Sequence, residues 1–177
     1  MTVSTLRTDR LVLRALRETD AAAIVAELNN YQVSKWLTAV PFPYTSADAD
    51  WFIGENIAGH VRALIILRDE RLVGMISLGR ELGYWLAENA WGNGYATEAA
   101  RAVVEHHFAQ SDDDLVQSSH FVENITSRNV LTKLGFVDVG PHIHFSKARQ
   151  AEVAGRLMEL TRENFTYRAT ADVKPVT

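Results

Sequence analysis

Hydrophobic residues alternate with polar ones in some segments of the chain and recur at helical spacing in others. Alternation, or an apolar run between turn residues, predicts strands over 11–14, 61–67, 72–78, 82–86, 115–122, 136–139 and 157–160. Spacings of three and four predict helices over 20–30, 45–58, 94–111 and 126–134. The three adjacent strands between 61 and 86 predict an antiparallel meander, and the strand–helix–strand order that follows predicts one crossover. The element order is that of an α+β fold.

Three local signals refine these elements. Thr45 and Asp48 have the spacing of a capping box, which predicts where the second helix begins. Gly135 follows the last helix at a position that favours a left-handed residue. Gly74 interrupts a strand, which indicates either a bulge or a close approach of two backbones.

Length and composition narrow the class of protein. The 177 residues, 47% of them hydrophobic and 23% charged, predict a single globular domain over 1–168 with a frayed tail over 169–177. A net charge of -4 disfavours a nucleic-acid partner, and the absence of cysteine excludes thiolate zinc sites and cysteine nucleophiles. No apolar run reaches the roughly 18 residues of a membrane span, and residues 1–10 lack a signal peptide's apolar stretch. We therefore expect a soluble, cytoplasmic protein without a membrane partner.

A glycine loop is the first candidate for chemistry. Residues 91–97 read Trp-Gly-Asn-Gly-Tyr-Ala-Thr and lead from the strand 82–86 into the longest helix. Backbone N–H groups and the positive helix end would converge there, which predicts an anion site suited to a diphosphate. An ordinary tight connection is the alternative. The P-loop pattern is absent, and the dinucleotide pattern fails because Thr97 stands where its third glycine belongs.

A second segment gives this loop a family context. Residues 124–136 contain Asn-x-x-Ser followed by Leu-x-Lys-x-Gly-Phe. With the loop, which reads Trp91-x-x-Gly94-x-Ala96, this segment resembles the GNAT superfamily of acyl-CoA N-acyltransferases. Segments 6–14, 83–86 and 160–163 resemble its RimJ/RimL-like branch, the ribosomal-protein N-terminal acetyltransferases. The matches run in order from about Leu6 to Glu163.

The resemblance implies a fold and a cofactor. It implies a mixed, mostly antiparallel sheet of six to seven strands, splayed at its middle and flanked by about four helices. Acetyl-CoA would lie in the gap between the strand that ends at Leu86 and the strand that ends near Val122. No metal is implied. The cofactor-binding residues would be Tyr84, Trp85, Leu86, Trp91, Gly92, Asn93, Gly94, Tyr95, Ala96, Thr97, Asn124, Ser127 and Asn129. Trp91 departs from the family's Gln or Arg, so backbone amides would carry the phosphate contact.

The implied reaction is transfer of acetyl from acetyl-CoA to a primary amine, either a protein N-terminus or a small molecule. Without cysteine there is no acetyl-cysteine intermediate, which favours a ternary complex. The amine is protonated at neutral pH and needs a base, for which the resemblance suggests Glu81, and it suggests Ser127 as the acid toward sulfur. A solvated strand-end charge, and capping by Ser127 and Asn124, are the structural alternatives.

Other residues and functions stay open at this point. His120 is a candidate base because histidine often serves in that role, but a lone strand histidine is more often structural. His142 and His144 share a strand face, without the further ligands of a metal site. Trp36, Phe42 and Tyr44 line either an acceptor cleft or the core. A non-catalytic CoA- or nucleotide-binding module and a dinucleotide-dependent oxidoreductase are the alternative functions. A homodimer would fit the resemblance, and acceptor choice would lie around 31–44 and 141–155.

Overall fold

One eight-stranded sheet runs through the computed structural model, which describes residues 5–165. Its strand order is β1-β2-β3-β4-β5-β6-β8-β7, and every neighbouring pair is antiparallel except β5 and β6. The strands are β1 (Leu6–Arg7), β2 (Val12–Ala15), β3 (Ala63–Arg68), β4 (Arg71–Leu78), β5 (Glu81–Leu86), β6 (Leu115–Phe121), β7 (Val137–Ser146) and β8 (Ala151–Thr161). The predicted meander is therefore β3-β4-β5, and the tail predicted at 169–177 lies outside the described residues.

Between residues 5 and 161, five α-helices pack on the two faces of this sheet. They are α1 (Ala21–Leu28), α2 (Tyr31–Ser34), α3 (Ser46–Ile57), α4 (Tyr95–Gln110) and α5 (Ile125–Leu134), with 3-10 turns at Glu18–Asp20 and Glu88–Ala90. The predicted capping box is confirmed, since the backbone N–H of Asp48 donates to Thr45 Oγ1 and that of Thr45 to the Asp48 carboxylate. Gly135 ends α5 with φ 103°, the left-handed conformation that was predicted.

Two hydrophobic clusters hold the helices against the sheet. One includes Leu82, Ala99, Val104, Leu131 and Leu160 and joins α4 and α5 to one face. The other joins α1 and α3 to the opposite face and includes Leu16, Ile24, Leu28, Ile53 and Met75. Each face therefore buries its apolar residues against a separate helical layer.

The sheet differs from the sequence prediction at both of its edges. At one edge, the two-residue strand β1 brings the number of strands to eight rather than six or seven. The helix α2 was not predicted either, because a single turn is too short for periodicity to detect. The strands predicted at 136–139 and 157–160 are parts of a long hairpin, β7 and β8. Pro141 lies within β7, and an edge strand tolerates proline because one side of its backbone needs no partner.

The sheet opens between β5 and β6. These parallel strands pair only at Glu81–Gln117 and Leu82–Ser118, whereas β5 stays paired with β4 as far as Leu86 and β6 with β8 as far as Phe121. The splay implied by the family resemblance is therefore present. It lies at the carboxyl ends of two neighbouring parallel strands.

Gly74 shows both features that its position in a strand suggested. The register of β3 and β4 shifts where Ile66 faces Gly74 and Leu67 faces Leu72, so that Val73 is an extra residue. A Cβ at position 74 would stand 2.2 Å from the Trp85 carbonyl oxygen of β5. The bulge and the close contact thus lie directly beside the open end of β5.

Candidate active site

A cavity of about 830 Å³ extends from the opening between β5 and β6 to the start of α4. All but one of the residues predicted to form the site line it: Glu81, Tyr84, Trp85, Leu86, Trp91, Gly92, Gly94, Tyr95, Ala96, Thr97, Asn124, Ser127 and Asn129. The exception is Asn93, whose amide Nδ2 donates to the carbonyls of Ala90 and Trp91 at 3.1 and 3.0 Å. Asn93 therefore stabilises the conformation of the loop without lining the cavity.

The glycine loop adopts a conformation that only glycine accepts readily. Gly92 and Gly94 have φ of 76° and 78°, in the left-handed region, and Gly94 is the N-cap of the 16-residue helix α4. The first N–H groups of a helix have no intrahelical acceptor, so those that follow Gly94 are free to bind an anion at the positive helix end. Trp91, where the family has Gln or Arg, donates its indole N–H to the Leu86 carbonyl at 3.0 Å.

Two hydroxyl groups meet across the opening. Tyr84 Oη on β5 lies 3.0 Å from Ser127 Oγ in the first turn of α5. Burial raises the pKa of Tyr84 to about 12, against the smaller opposing effect of its bond to Ser127, so the phenol keeps its proton at neutral pH. Asn124 accepts the Ser127 backbone N–H at 3.0 Å, so the capping role considered for Asn124 is realised.

One carboxylate and two imidazoles line the part of the cavity formed by β5, β6 and β7. Glu81 is exposed at the start of β5 and accepts a hydrogen bond from the Ser119 hydroxyl at 3.3 Å. His144 reaches this side because Gly155 leaves room for its ring: a Cβ at position 155 would stand 2.6 Å from His144 Cδ2. Burial, together with His142 and His120, lowers the pKa of His144, and Glu81 opposes that shift.

His120 lies deeper than His144 on the neighbouring strand. Its Nδ1 is 2.8 Å from the Phe121 carbonyl oxygen, which can only accept, so Nδ1 carries the proton in the neutral ring. Within residues 5–165, the Nε2 atoms of His120 and His144 are buried without a hydrogen-bond partner. Unsatisfied buried nitrogens are rare in folded proteins and often belong to functional sites.

The aromatic residues considered for the acceptor cleft separate into two groups. Trp36 lines the cavity, and Arg149 stacks between its ring and that of Phe121 at 5.1 and 5.2 Å while binding Glu123. Tyr44 belongs to the core, and Phe42 packs edge-on against Tyr31 near the surface. Of these three residues only Trp36 lines the cavity, and its contact with an acceptor stays a prediction.

Sequence reasoning missed the residues that hold the loop from outside. Glu98, in the first turn of α4, accepts hydrogen bonds from Thr8 Oγ1 at 2.6 Å and from Arg10 Nε at 2.7 Å. Burial opposes ionisation, but the bonds from Thr8 and Arg10 outweigh it and lower the pKa of Glu98. No spacing rule connects residues that are 88 to 90 positions apart.

The opened sheet and the glycine loop at a helix N-terminus are the arrangement implied by the resemblance to acyltransferases, and Ser127 lies in the same cavity. A family model described as the acetyltransferase (GNAT) domain matches residues 10–137. The chain belongs to this GNAT family.

Individual proteins are similar to the chain over most of its length. The uncharacterized N-acetyltransferase p20 of Bacillus licheniformis is 26% identical in an alignment of 171 positions that covers 89% of this chain and 93% of that protein. The putative ribosomal N-acetyltransferase YdaF of Bacillus subtilis is 31% identical in an alignment of 150 positions that covers 75% of this chain and 80% of that protein. The solved structure of Mycobacterium smegmatis RimJ in complex with CoA-disulfide superposes with a TM-score of 0.77 at 22% identity, covering 91% and 88%.

These comparisons confirm the predicted class of enzyme, an acetyl-CoA-dependent N-acetyltransferase, and the RimJ/RimL-like character of the chain. They decide for acyl transfer over a dinucleotide-dependent oxidoreductase. Among residues 5–165, no helix is both long and apolar enough to cross a bilayer. That same part of the chain contains no group of three or more His, Cys, Asp or Glu side chains able to hold a metal ion.

Proposed function

We propose that the chain transfers the acetyl group of acetyl-CoA directly to a primary amine, with both substrates bound in the cavity between β5, β6 and α4. The single observation that carries this proposal is the opening of the sheet, because it leaves main-chain groups of β5 exposed to an extended ligand. Pantetheine has two amides and can pair with such an edge in the manner of an added strand. The diphosphate would then meet the glycine loop.

The direction of the backbone groups in β5 selects the residue that would bind the thioester carbonyl. The N–H of Ala87 donates to the Val73 carbonyl of β4 at 3.0 Å. Because N–H groups of alternate residues in a strand point the same way, that of Trp85 also faces β4 and that of Leu86 faces the opening. Leu86 is therefore better placed than Trp85 to donate to the oxyanion, and such a donor contributes about 3 kcal/mol in other acyl transfers.

The proton balance follows from the groups in the cavity. An ammonium acceptor must lose two of its three protons: one to a base, and one that ends on the sulfur of CoA. Glu81 stays the predicted base. Tyr84, with a pKa of about 12, holds its proton more tightly than a thiol of ordinary pKa, about 8.5, does. The Tyr84–Ser127 pair would therefore stabilise the leaving sulfur by hydrogen bonding, and the amine would supply its proton.

A protein N-terminus is the acceptor to test first. YdaF is named as a putative ribosomal N-acetyltransferase, and RimJ is a solved neighbour with the same fold. Thiol release from acetyl-CoA should be measured with peptides that begin with serine or alanine and with small primary amines. Tight binding of acetyl-CoA without thiol release from any acceptor would favour the non-catalytic binding module instead. A cytoplasmic location and a homodimer stay predictions.

The glycine loop allows a direct test of where the diphosphate binds. We expect Gly94→Val to raise the dissociation constant for acetyl-CoA at least tenfold, because a β-branched side chain is strained at φ 78° and would displace the N–H groups of the loop. Gly59→Val is the matched control, since Gly59 has φ 83° and open space around it, outside the cavity. Equal acetyl-CoA affinity in the two folded variants would place the diphosphate elsewhere.

A further inference from the structure

Arg10 connects the turn between β1 and β2 to the glycine loop and to the first turn of α4. Its Nη1 donates to the Asn93 carbonyl oxygen at 3.0 Å, and its Nε and Nη2 lie 2.7 and 2.6 Å from Glu98 Oε2. The backbone N–H of Arg10 and the hydroxyl of Thr8 bind the other oxygen of Glu98. The guanidinium also lies 4.9 Å from the centre of the Tyr95 ring. The loop is thus held by a residue that is far from it in sequence.

The bond to Asn93 determines which way the next peptide group faces. In a trans peptide the carbonyl oxygen and the following N–H point in opposite directions. Since the Asn93 oxygen points to Arg10, the N–H of Gly94 points away from Arg10. This peptide joins Asn93 to Gly94, and Gly94 has no Cβ to resist its rotation. A rotated peptide would present a carbonyl oxygen to a bound anion in place of an N–H.

We propose that Arg10 is a positioning residue that keeps the N–H of Gly94 directed at the diphosphate of acetyl-CoA. This proposal rests on the proposed function, because it assumes that the diphosphate binds the glycine loop. The role is geometric, since Glu98 already pairs with the guanidinium charge. The side chain of Arg10 is 44% exposed, and an ion pair at such a site contributes little to folding stability by itself. The effect of losing Arg10 therefore falls on the ligand.

The test compares two acetyl donors that differ in the diphosphate. We expect Arg10→Ala to weaken binding of acetyl-CoA at least fivefold by calorimetry, while kcat/KM for acetyl-pantetheine, which lacks the diphosphate, stays within twofold of wild type. Arg10→Lys should restore little, because a single ammonium cannot bind Asn93 and Glu98 in the planar geometry of arginine. Arg7→Ala removes the same charge at an exposed position of β1. It should leave acetyl-CoA affinity and kcat/KM for acetyl-pantetheine unchanged.

A second variant guards against a loss of structure. Glu98→Gln keeps Arg10 but weakens the bond that holds its guanidinium. It should weaken acetyl-CoA binding by a smaller factor than Arg10→Ala does, and kcat/KM for acetyl-pantetheine should again stay close to wild type. In amide NMR spectra, the Gly94 signal should shift on addition of CoA to wild type and lose that shift in Arg10→Ala.

Two results would overturn the proposal: wild-type affinity for acetyl-CoA in Arg10→Ala, or an equal loss with acetyl-CoA and acetyl-pantetheine. A wild-type chain that binds no acetyl-CoA would instead overturn the proposed function, and this proposal with it.

Discussion

Gly74 offers the sharpest test of how the sheet is built around its opening. A Cβ at this position would lie 2.2 Å from Trp85 O, 2.7 Å from a methyl group of Leu86 and 3.0 Å from Leu86 Cα. Real Cβ atoms keep at least 3.0 Å from such neighbours, so Gly74→Ala must separate β4 from β5 by about 0.8 Å. The nearest atom belongs to the main chain, so no side-chain rotation relieves the contact.

The expected cost of Gly74→Ala can be built from two effects. Overpacking a close-packed interior costs about 1–3 kcal/mol, and weakening one hydrogen bond of the ladder adds about 1 kcal/mol. We expect the free energy of unfolding to fall by about 3 kcal/mol. At about 2–4 °C per kcal/mol for a chain of this length, Tm should fall by about 6–12 °C. A shift of Leu86 approaching 1 Å should also lower kcat by up to about a hundredfold.

Urea unfolding and thermal unfolding monitored by circular dichroism measure the loss, and Gly79→Ala is the matched control. Gly79 follows β4 in the chain, has open space around its Cβ position and has no positive φ. There the smaller entropy of the unfolded chain should leave stability unchanged or raise it by about 0.4–1 kcal/mol. Free energies of unfolding for the two variants that agree within about 0.5 kcal/mol would refute the close approach of β4 and β5.

Two further predictions concern the acceptor side of the cavity. Glu81→Gln should lower kcat with little change in acetyl-CoA affinity, because Glu81 is the predicted base. Glu105→Gln, at an exposed position of α4, is the control. Equal kinetics in the two variants would mean that Glu81 is a surface charge without a catalytic role. His144 has a pKa below its ordinary value of 6.5, owing to burial, His142 and His120 against Glu81, so the unfolded chain takes up this proton first as pH falls. Its stabilising contribution is therefore present above about pH 6.5 and is lost as pH falls through the folded pKa. In urea titrations, the free energy of unfolding of His144→Gln should fall less than that of wild type between about pH 7.5 and 5. Equal losses would contradict the inference that a buried, neutral His144 ring stabilises the fold.

Local patterns predicted the elements whose stability depends on neighbours in sequence. The capping box at Thr45, the stop at Gly135 and the meander β3-β4-β5 each follow from residues within a few positions of one another. The splay between β5 and β6 has no local signature, because it depends on where two distant strands cease to pair. It was expected only through the family resemblance.

The candidate site divides in the same way. The loop from Trp91 to Thr97 is contiguous and could be predicted as a unit. The bonds that join Arg10 to Asn93 and Glu98 span more than 80 residues, and nothing in the sequence pairs them. His144 likewise depends on the missing side chain of Gly155, which lies on the next strand and reads as a break in a strand pattern.

The positions of the anion site and the opening follow from one topological fact. Parallel neighbours such as β5 and β6 need a crossover, and here the crossover helix α4 starts at the carboxyl end of β5. The N-terminus of α4 must therefore lie at the same end of the sheet where β5 and β6 separate. Open sheets bind ligands at such points because strand ends and helix N-termini both leave backbone donors free there. A ligand with a diphosphate at one end and an acyl group at the other can use both sets of donors at the opening between β5 and β6. We therefore expect the chemistry at β5 and α4 together.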